Sequence, residues 1–403
     1  MRIGMLIPGI TAPASPGTYR DAWEVQTRQL GMALGSLGHR VDIFTRRCTG
    51  ENLGTVQLGP MLTVSHLPAG PPTALDAVQV RQHLGEFAAM LAETWRRDPP
   101  DVVHAHSWLY GLTALLAGRE HLGLPIVQTF HRLPHRSART NMHSGNGPRV
   151  RFECTIGGRV DAVIANNATE LSDLVRLGLS RGRISVIPYG VDARGMNPDG
   201  PAQEHAMPYR IVVLDELSAQ HGVDDVVAAL PGVPDTELVV AGGPPPADLG
   251  RDQDALRIRA LADRLGVANR VSLLGGIPPE QVPPLLRGAD LAVSVPWSHT
   301  TGKVALDAMA CGVPVVCTGV GGLADAVVDG VTGVHVRAGR PGQLAKEVRP
   351  LLQAPVRRRA LALAGRDRIL ARYNWERVAT ETVRLYSRLP RQMANGRSFK
   401  EES

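Results

Sequence analysis

Two threonines, a glycine and a lysine stand together at Thr300, Thr301, Gly302 and Lys303, opening a run (TTGKVALDAMACG) that reads as a helix stopped by glycine. The first N–H groups of a helix have no internal partner, so two hydroxyls and an ammonium there make a candidate phosphate cradle. Lysine is scarce: the 44 basic residues include Lys303, Lys346 and Lys400 as the only lysines. A local reading competes, because Lys303 and Asp307 have the i,i+4 spacing of an ion pair on one helix face. Histidines offer a second chemistry. His104 and His106 lie two apart on DVVHAHS and so share one face of a strand, while His131 ends PIVQTFH. That spacing could bind metal, but no third ligand follows, and cleft lining or strand packing is the preferred reading. Arg132, Arg136, Arg139, Arg149 and Arg151 crowd residues 131–151 without an acidic residue. Such a set could clamp a phosphate or carboxylate, or form a solvated loop.

The elements that must position these groups alternate. MRIGMLIP, RVDIFTR, DVVHAHS, PIVQTFH, RVDAVIANN and RISVIPYGVD read as strands, with helical patterns between them at residues 23–37 and 80–97. A second series follows: YRIVVLDEL, TELVVAGG, NRVSLLGG, DLAVSVPW, VPVVCTG and GVHV. Alternation of this kind predicts parallel strands joined by helical crossovers, in an α/β fold with two doubly wound sheets. The expected organisation is a first domain over residues 1–195, a Pro- and Gly-bearing linker at 196–208 and a second domain over 208–375. An amphipathic terminal helix at 376–390 crosses back, and a polar, disordered tail occupies 391–403. Ligand-binding loops at the strand C-termini would then face a shared cleft.

With 403 residues, 43% hydrophobic and 20% charged, the chain has the composition of a soluble globular protein. A formal charge of +6 does not point to nucleic acid. No apolar run is long enough to span a membrane, and the opening strand does not read as a signal peptide. Cys48, Cys154, Cys311 and Cys317 lack metal spacing and read as reduced thiols, consistent with a cytoplasmic protein. The sequence leaves room for a homodimer.

Taken in order, several pieces resemble the family 4 glycosyltransferases: DVVHAHSWLYGL, TFH, VIPYGVD, GADLAVSVP, ALDAMACGVPVV, GVGGLADAVVDGVTG and YNWERVA. The resemblance runs over nearly the whole chain up to Pro390. PGTYRDA and HSWLYG are similar to loops of the mycothiol-pathway transferases that glycosylate inositol phosphate. The resemblance implies the GT-B fold, two Rossmann-like domains facing a central cleft, with acceptor in the first and donor in the second. It implies transfer from a UDP or GDP sugar with retention, no required metal or cofactor, and small-molecule donor and acceptor as the partners. Its His131 would contact the donor sugar. From the residues themselves, His106 and Trp108 are placed toward the acceptor, and Arg132, Arg136 and Arg139, where they bind an anion, would meet an anionic acceptor or bring phosphate contacts from the opposite domain on closure.

Against that pattern, the donor site is altered. The Gly-Gly that lets phosphate approach the first loop falls on Asp21-Ala22 or Ala22-Trp23. The family's Arg and Lys, five residues apart, become Glu216 and His221. Losing two charge-assisted hydrogen bonds removes roughly 3–6 kcal/mol of diphosphate stabilisation, on the order of 10²–10⁴ in rate. The two glutamates of the family's paired motif become His299, which would meet the sugar, and Asp307, which would hold the ribose. Thr300, Thr301, Gly302 and Lys303 between them could restore part of the positive charge. Three functions compete: sugar transfer with a rebuilt donor site, a retired enzyme that only binds, and another coupling reaction on the same frame. The order of preference is as given.

Overall fold

Every β-branched run named above becomes a strand, and the two series become two sheets. The computed structural model describes residues 1–7, 22–50, 54–119, 122–131, 133, 147–298 and 300–390. Its first strands are β1 (Arg2–Leu6), β2 (Arg40–Arg46), β3 (Thr55–Gly59) and β4 (Leu62–Leu67). The same sheet continues with β5 (Val102–His106), β6 (Ile126–Thr129), β7 (Ala162–Ala165) and β8 (Ile184–Val186). Strands β9 (Tyr209–Leu214), β10 (Thr236–Ala241), β11 (Val271–Gly275), β12 (Leu291–Ser294), β13 (Val315–Thr318) and β14 (Gly333–Val336) form the second. Among the described residues the orders are β3-β4-β2-β1-β5-β6-β7-β8 and β11-β10-β9-β12-β13-β14. Strand order therefore reverses between β1 and β5 and again between β9 and β12, the places where such sheets open a crevice.

One pairing departs from the parallel expectation. The edge strand β3 runs antiparallel to β4, because Pro60 and Met61 alone join them and so short a link cannot make a parallel crossover. The helical pattern at 80–97 also divides, into Ala77–Gln82 and Leu84–Arg97 with His83 between.

Four buried clusters cover the two faces of each sheet. The closing helix Trp375–Tyr386 belongs to the first sheet's core: Val378, Ala379 and Tyr386 pack with Ile3, Met5, Leu34 and Ile43. The chain passes between the halves twice, and the two passages touch. Val191 donates to the Tyr373 carbonyl at 2.8 Å and bridges Asn374. Gly190 lies so close to Trp375 that a Cβ would stand 2.5 Å from the indole, so the position admits no side chain. Gln26 holds both polar groups of Gly190, accepting from its N–H at 3.1 Å and donating to its carbonyl at 3.0 Å.

The segment after this crossing is fastened to the second half by guanidinium groups. Arg366 donates to the carbonyls of Ala193 (2.9 Å), Met196 (3.0 Å) and Ala310 (2.7 Å). Arg287 holds Asn197 and Pro201, and Arg210 holds Gln203 and Glu204. A planar fork with five donors suits turns whose carbonyls have no strand to pair with. Replacing Arg366 by Met should therefore cost about 2–4 kcal/mol of stability through three orphaned carbonyls. The check is a lower urea midpoint with an unchanged slope.

Candidate active site

At the C-terminal end of the first sheet, His104, His106, His131 and Tyr189 form a stack of rings. Adjacent centroids are 4.1, 5.0 and 5.9 Å apart; the His104–His106 pair is tilted by 37°, and the other two pairs lie within 17° of parallel. The strand alternation that puts His104 and His106 on one face makes this possible, with β6 delivering His131 alongside. His104 uses both nitrogens: Nδ1 pairs with the Tyr386 hydroxyl at 2.7 Å and Nε2 with Thr129 Oγ1 at 2.8 Å. His106 Nδ1 lies 2.8 Å from His131 Nε2, and His131 Nδ1 lies 2.8 Å from the Tyr189 hydroxyl. Both ring nitrogens of His131 are thus engaged within the protein. A sugar hydroxyl reaches them only by sharing or replacing one of these bonds.

The stack is neutral. Burial pushes His104 and His131 down to about 3, and burial followed by the neighbouring imidazoles holds His106 well below the usual histidine range. A cavity of about 30 Å³ lies against it, lined in part by Gln26, Thr27, His106, Asn166 and Thr382. Asn166 leads to a second perturbed group. Its backbone and side-chain N–H groups donate to Glu170 at 2.7 and 3.0 Å, yet burial still raises that carboxyl to about 7.

Backbone strain marks the same edge. Ser107 and His131, each just past its strand end on β5 and β6, have φ of 70° and 62°, in the left-handed region that β-carbons disfavour. Beside them Trp108 stacks on Phe152 with centroids 5.6 Å apart and planes 15° from parallel. Arg149 is bound to the buried carboxylate of Glu153 at 2.8 Å, an acidic partner two residues beyond the basic run.

In the second half the loops after β9 and β12 flank the reversal of strand order. His221 sits between carboxylates, with Nδ1 2.5 Å from Asp215 and Nε2 3.8 Å from Glu216. Trp297, half exposed, ties the two loops: its N–H donates to the Gln220 carbonyl and its indole to Asp225, both at 2.9 Å. The helix Lys303–Ala310 begins at Gly302, whose φ is 76° and which offers no side-chain cap. A Cβ there would stand 2.7 Å from the Gly322 carbonyl carbon, so two helix starts meet through backbone alone. The Gly322 N–H completes the contact, donating to Thr300 O at 2.8 Å. Thr300 and Thr301 accept from Gly302 and Lys303 N–H at 3.3 Å. Lys303 reaches Asp307 at 2.5 Å, and Asp307 is wholly buried, so ribose hydroxyls meet that carboxylate only if the lysine swings aside.

Two family models match, Glycosyltransferase Family 4 over residues 24–194 and Glycosyl transferases group 1 over residues 201–368. D-inositol 3-phosphate glycosyltransferase 2 of Catenulispora acidiphila is 32% identical, spanning 96% of this chain and 95% of that one. The chain belongs to glycosyltransferase family 4. The D-inositol 3-phosphate glycosyltransferase of Mycobacterium bovis is likewise 32% identical over 96% of this chain and 83% of its own. Among solved structures, sucrose-phosphate synthase from Thermosynechococcus elongatus matches with a TM-score of 0.81 and 26% identity, over 96% of this chain and 98% of that one. Anabaena HepE, crystallised with UDP-glucose, matches in fold with a TM-score of 0.71 at 18% identity, over 96% of this chain and 100% of its own. This glycosyltransferase accordingly has the GT-B architecture that its motifs imply.

The structure gathers the sequence candidates into two groups, His106, Trp108 and His131 on the first sheet, and Glu216, His221, Thr300–Lys303 and Asp307 on the second. His299, Asp21, the Ala22 side chain, Arg132, Arg136, Arg139 and the tail 391–403 lie outside the described residues. Sequence reasoning passed over Asp215, Tyr189, Tyr386, Phe152 and Glu170. Only Asp215, adjacent to Glu216, carried a local signal.

Two tests follow from these geometries. The stack's histidines have folded pKa values depressed below the unfolded value, so their contribution is lost as pH falls below about 6.5. Going from pH 7 to 5, His104 and His131 should each cost about 2 kcal/mol and His106 shifts the same way, while Glu170, whose pKa is raised, moves the other way by about 2 kcal/mol. Glu170→Gln should therefore steepen the acid loss of stability, read from urea midpoints across that range. Separately, Lys303→Met should lower stability by removing the ammonium that faces a buried carboxylate, and adding Asp307→Leu should restore most of the loss. Chemical unfolding of the double-mutant cycle measures the difference.

Proposed function

We propose that this glycosyltransferase moves a sugar from a nucleotide-diphosphate donor, a UDP or GDP sugar, to a small polar acceptor with retention of anomeric configuration. A cyclitol, a thiol or a natural-product intermediate fits the acceptor description. One observation carries the donor reading: the helix start at Gly302–Lys303, whose first N–H groups are held by long 3.3 Å bonds to the Thr300 and Thr301 hydroxyls that a phosphate would replace. Backbone N–H groups, unlike long cations, are already oriented and lose little entropy on meeting a phosphate. The relatives named for inositol 3-phosphate support a cyclitol acceptor, and the UDP-glucose complex of HepE supports uridine as the base.

In this reading Lys303 leaves Asp307 for the diphosphate, and Asp307 turns to the ribose hydroxyls. His131 positions the sugar, with His299 beside it. The acceptor attacks from the face that the diphosphate leaves, and the departing phosphate takes its proton, so no separate base is required. His106 and Trp108, with Arg132, Arg136 and Arg139, serve the acceptor side.

A second reading has its own observation. Asp215 and Glu216 bracket His221 where the family places two cations, which favours a protein that binds without turnover. A thermal-shift panel of UDP, GDP, dTDP and ADP with their sugars separates the two. Stabilisation by one nucleotide sugar, followed by product in an acceptor screen, supports transfer; no shift with any of them sinks the donor assignment. Glu216→Arg together with His221→Lys should tighten nucleoside-diphosphate binding at least tenfold by calorimetry, since each restored charge-assisted bond contributes about 1.5–3 kcal/mol.

A further inference from the structure

The ring stack contains an asymmetry that fixes more than packing. His106 is 2% exposed and shares its Nδ1 with His131 Nε2 at 2.8 Å and, more distantly, with Thr27 Oγ1 at 3.4 Å. Its other nitrogen, Nε2, is buried and has no hydrogen-bond partner among the described residues. A neutral imidazole carries one proton on one of its two nitrogens. Orphaned buried N–H groups are rarer than under-satisfied acceptors, so the proton belongs on Nδ1 and Nε2 keeps a lone pair. The consequence propagates. His106 Nδ1–H donates to His131 Nε2, which places the His131 proton on Nδ1, and that N–H donates to the Tyr189 hydroxyl oxygen. The tautomer of the histidine at the cleft is thus set by a residue one strand away.

We propose that His106 is the positioning residue for His131, fixing the plane and the Nδ1–H tautomer of its ring through a single Nδ1–H···Nε2 bond. The functional part of this rests on the reading that His131 orients the transferred sugar. Three observations support it together. The two rings are 17° from parallel at 5.0 Å, so the bond constrains rotation of the His131 ring. His106 is itself braced by His104, which lies tilted against it with centroids 4.1 Å apart and is anchored at both nitrogens. His131 has a backbone φ of 62°, a strained conformation that a surrounding structure must hold. The stack is neutral, so the relay works by tautomer and not by charge.

Nitrogen-15 NMR of the histidine-labelled full-length protein tests the tautomer without any substrate. His131 should show protonated Nδ1 and bare Nε2 at pH 7; the opposite pattern overturns the proposal. Two substitutions then separate hydrogen bonding from packing. His106→Asn keeps a donor near the Nδ1 position and loses the ring, whereas His106→Phe keeps the ring and loses the donor. The Asn variant should retain the His131 tautomer, and the Phe variant should show exchange between both. Retention in Phe with loss in Asn means that the ring acts only as filler, and overturns the proposal. If either variant fails to fold, the wild-type tautomer still decides. With UDP-glucose as probe, turnover in the Phe variant should fall at least tenfold in kcat with the KM for UDP-glucose within twofold, and the Asn variant should lose less kcat than the Phe variant. Equal kcat in Phe and wild type overturns the positioning role. Failure of wild type to bind any nucleotide sugar sinks the donor assignment instead, and leaves the NMR result standing.

Discussion

Neutrality of a buried ring stack is the constraint around which the first half of this enzyme is arranged. Three imidazoles with adjacent centroids 4.1 and 5.0 Å apart could not carry even two positive charges between them without strong repulsion in a poorly solvated site. Their neighbours are correspondingly uncharged: hydroxyls of Thr27, Thr129, Tyr189 and Tyr386 take the hydrogen bonds that carboxylates take elsewhere. The carboxyl of Glu170, joined to the cavity wall by Asn166, is itself pushed toward its neutral form. Tyr386 brings the closing helix into this arrangement, so a residue near the end of the chain completes a site built by the first sheet.

The second half handles charge differently. Where the family offers fixed cations, this chain has Asp215, Glu216 and His221 in mutual contact, and its nearby lysine is bound to a wholly buried aspartate. Beside them, two helix starts that glycine allows to touch meet through backbone.

Much of the frame was legible in the sequence because it depends on short-range pattern. Each β-branched run became a strand, and the two-residue spacing of His104 and His106 placed both on one face. The antiparallel edge strand was missed because TVQLG is polar and lies at the margin, with no buried face to impose a pattern. Partners remote in sequence were not legible at all: His104 and Tyr386 lie 282 positions apart, and only the fold brings them together. The i,i+4 geometry of Lys303 and Asp307 was readable, while the grip of Asp215 on His221 depended on a turn whose course no local signal gives. Pro- and Gly-bearing composition suggested a loose connector at 196–208, but of the arginines that fasten it Arg287 and Arg366 come from helices far along the chain and Arg210 from β9.

That fastening has a mechanical consequence. Because Arg366, Arg287 and Arg210 bind the connector to the second half, it travels with that half as one piece. The two passages between the halves touch where Gly190 and Val191 lie against Trp375 and Asn374. Any turning of one half against the other must therefore be centred near an unsubstituted α-carbon resting on an indole.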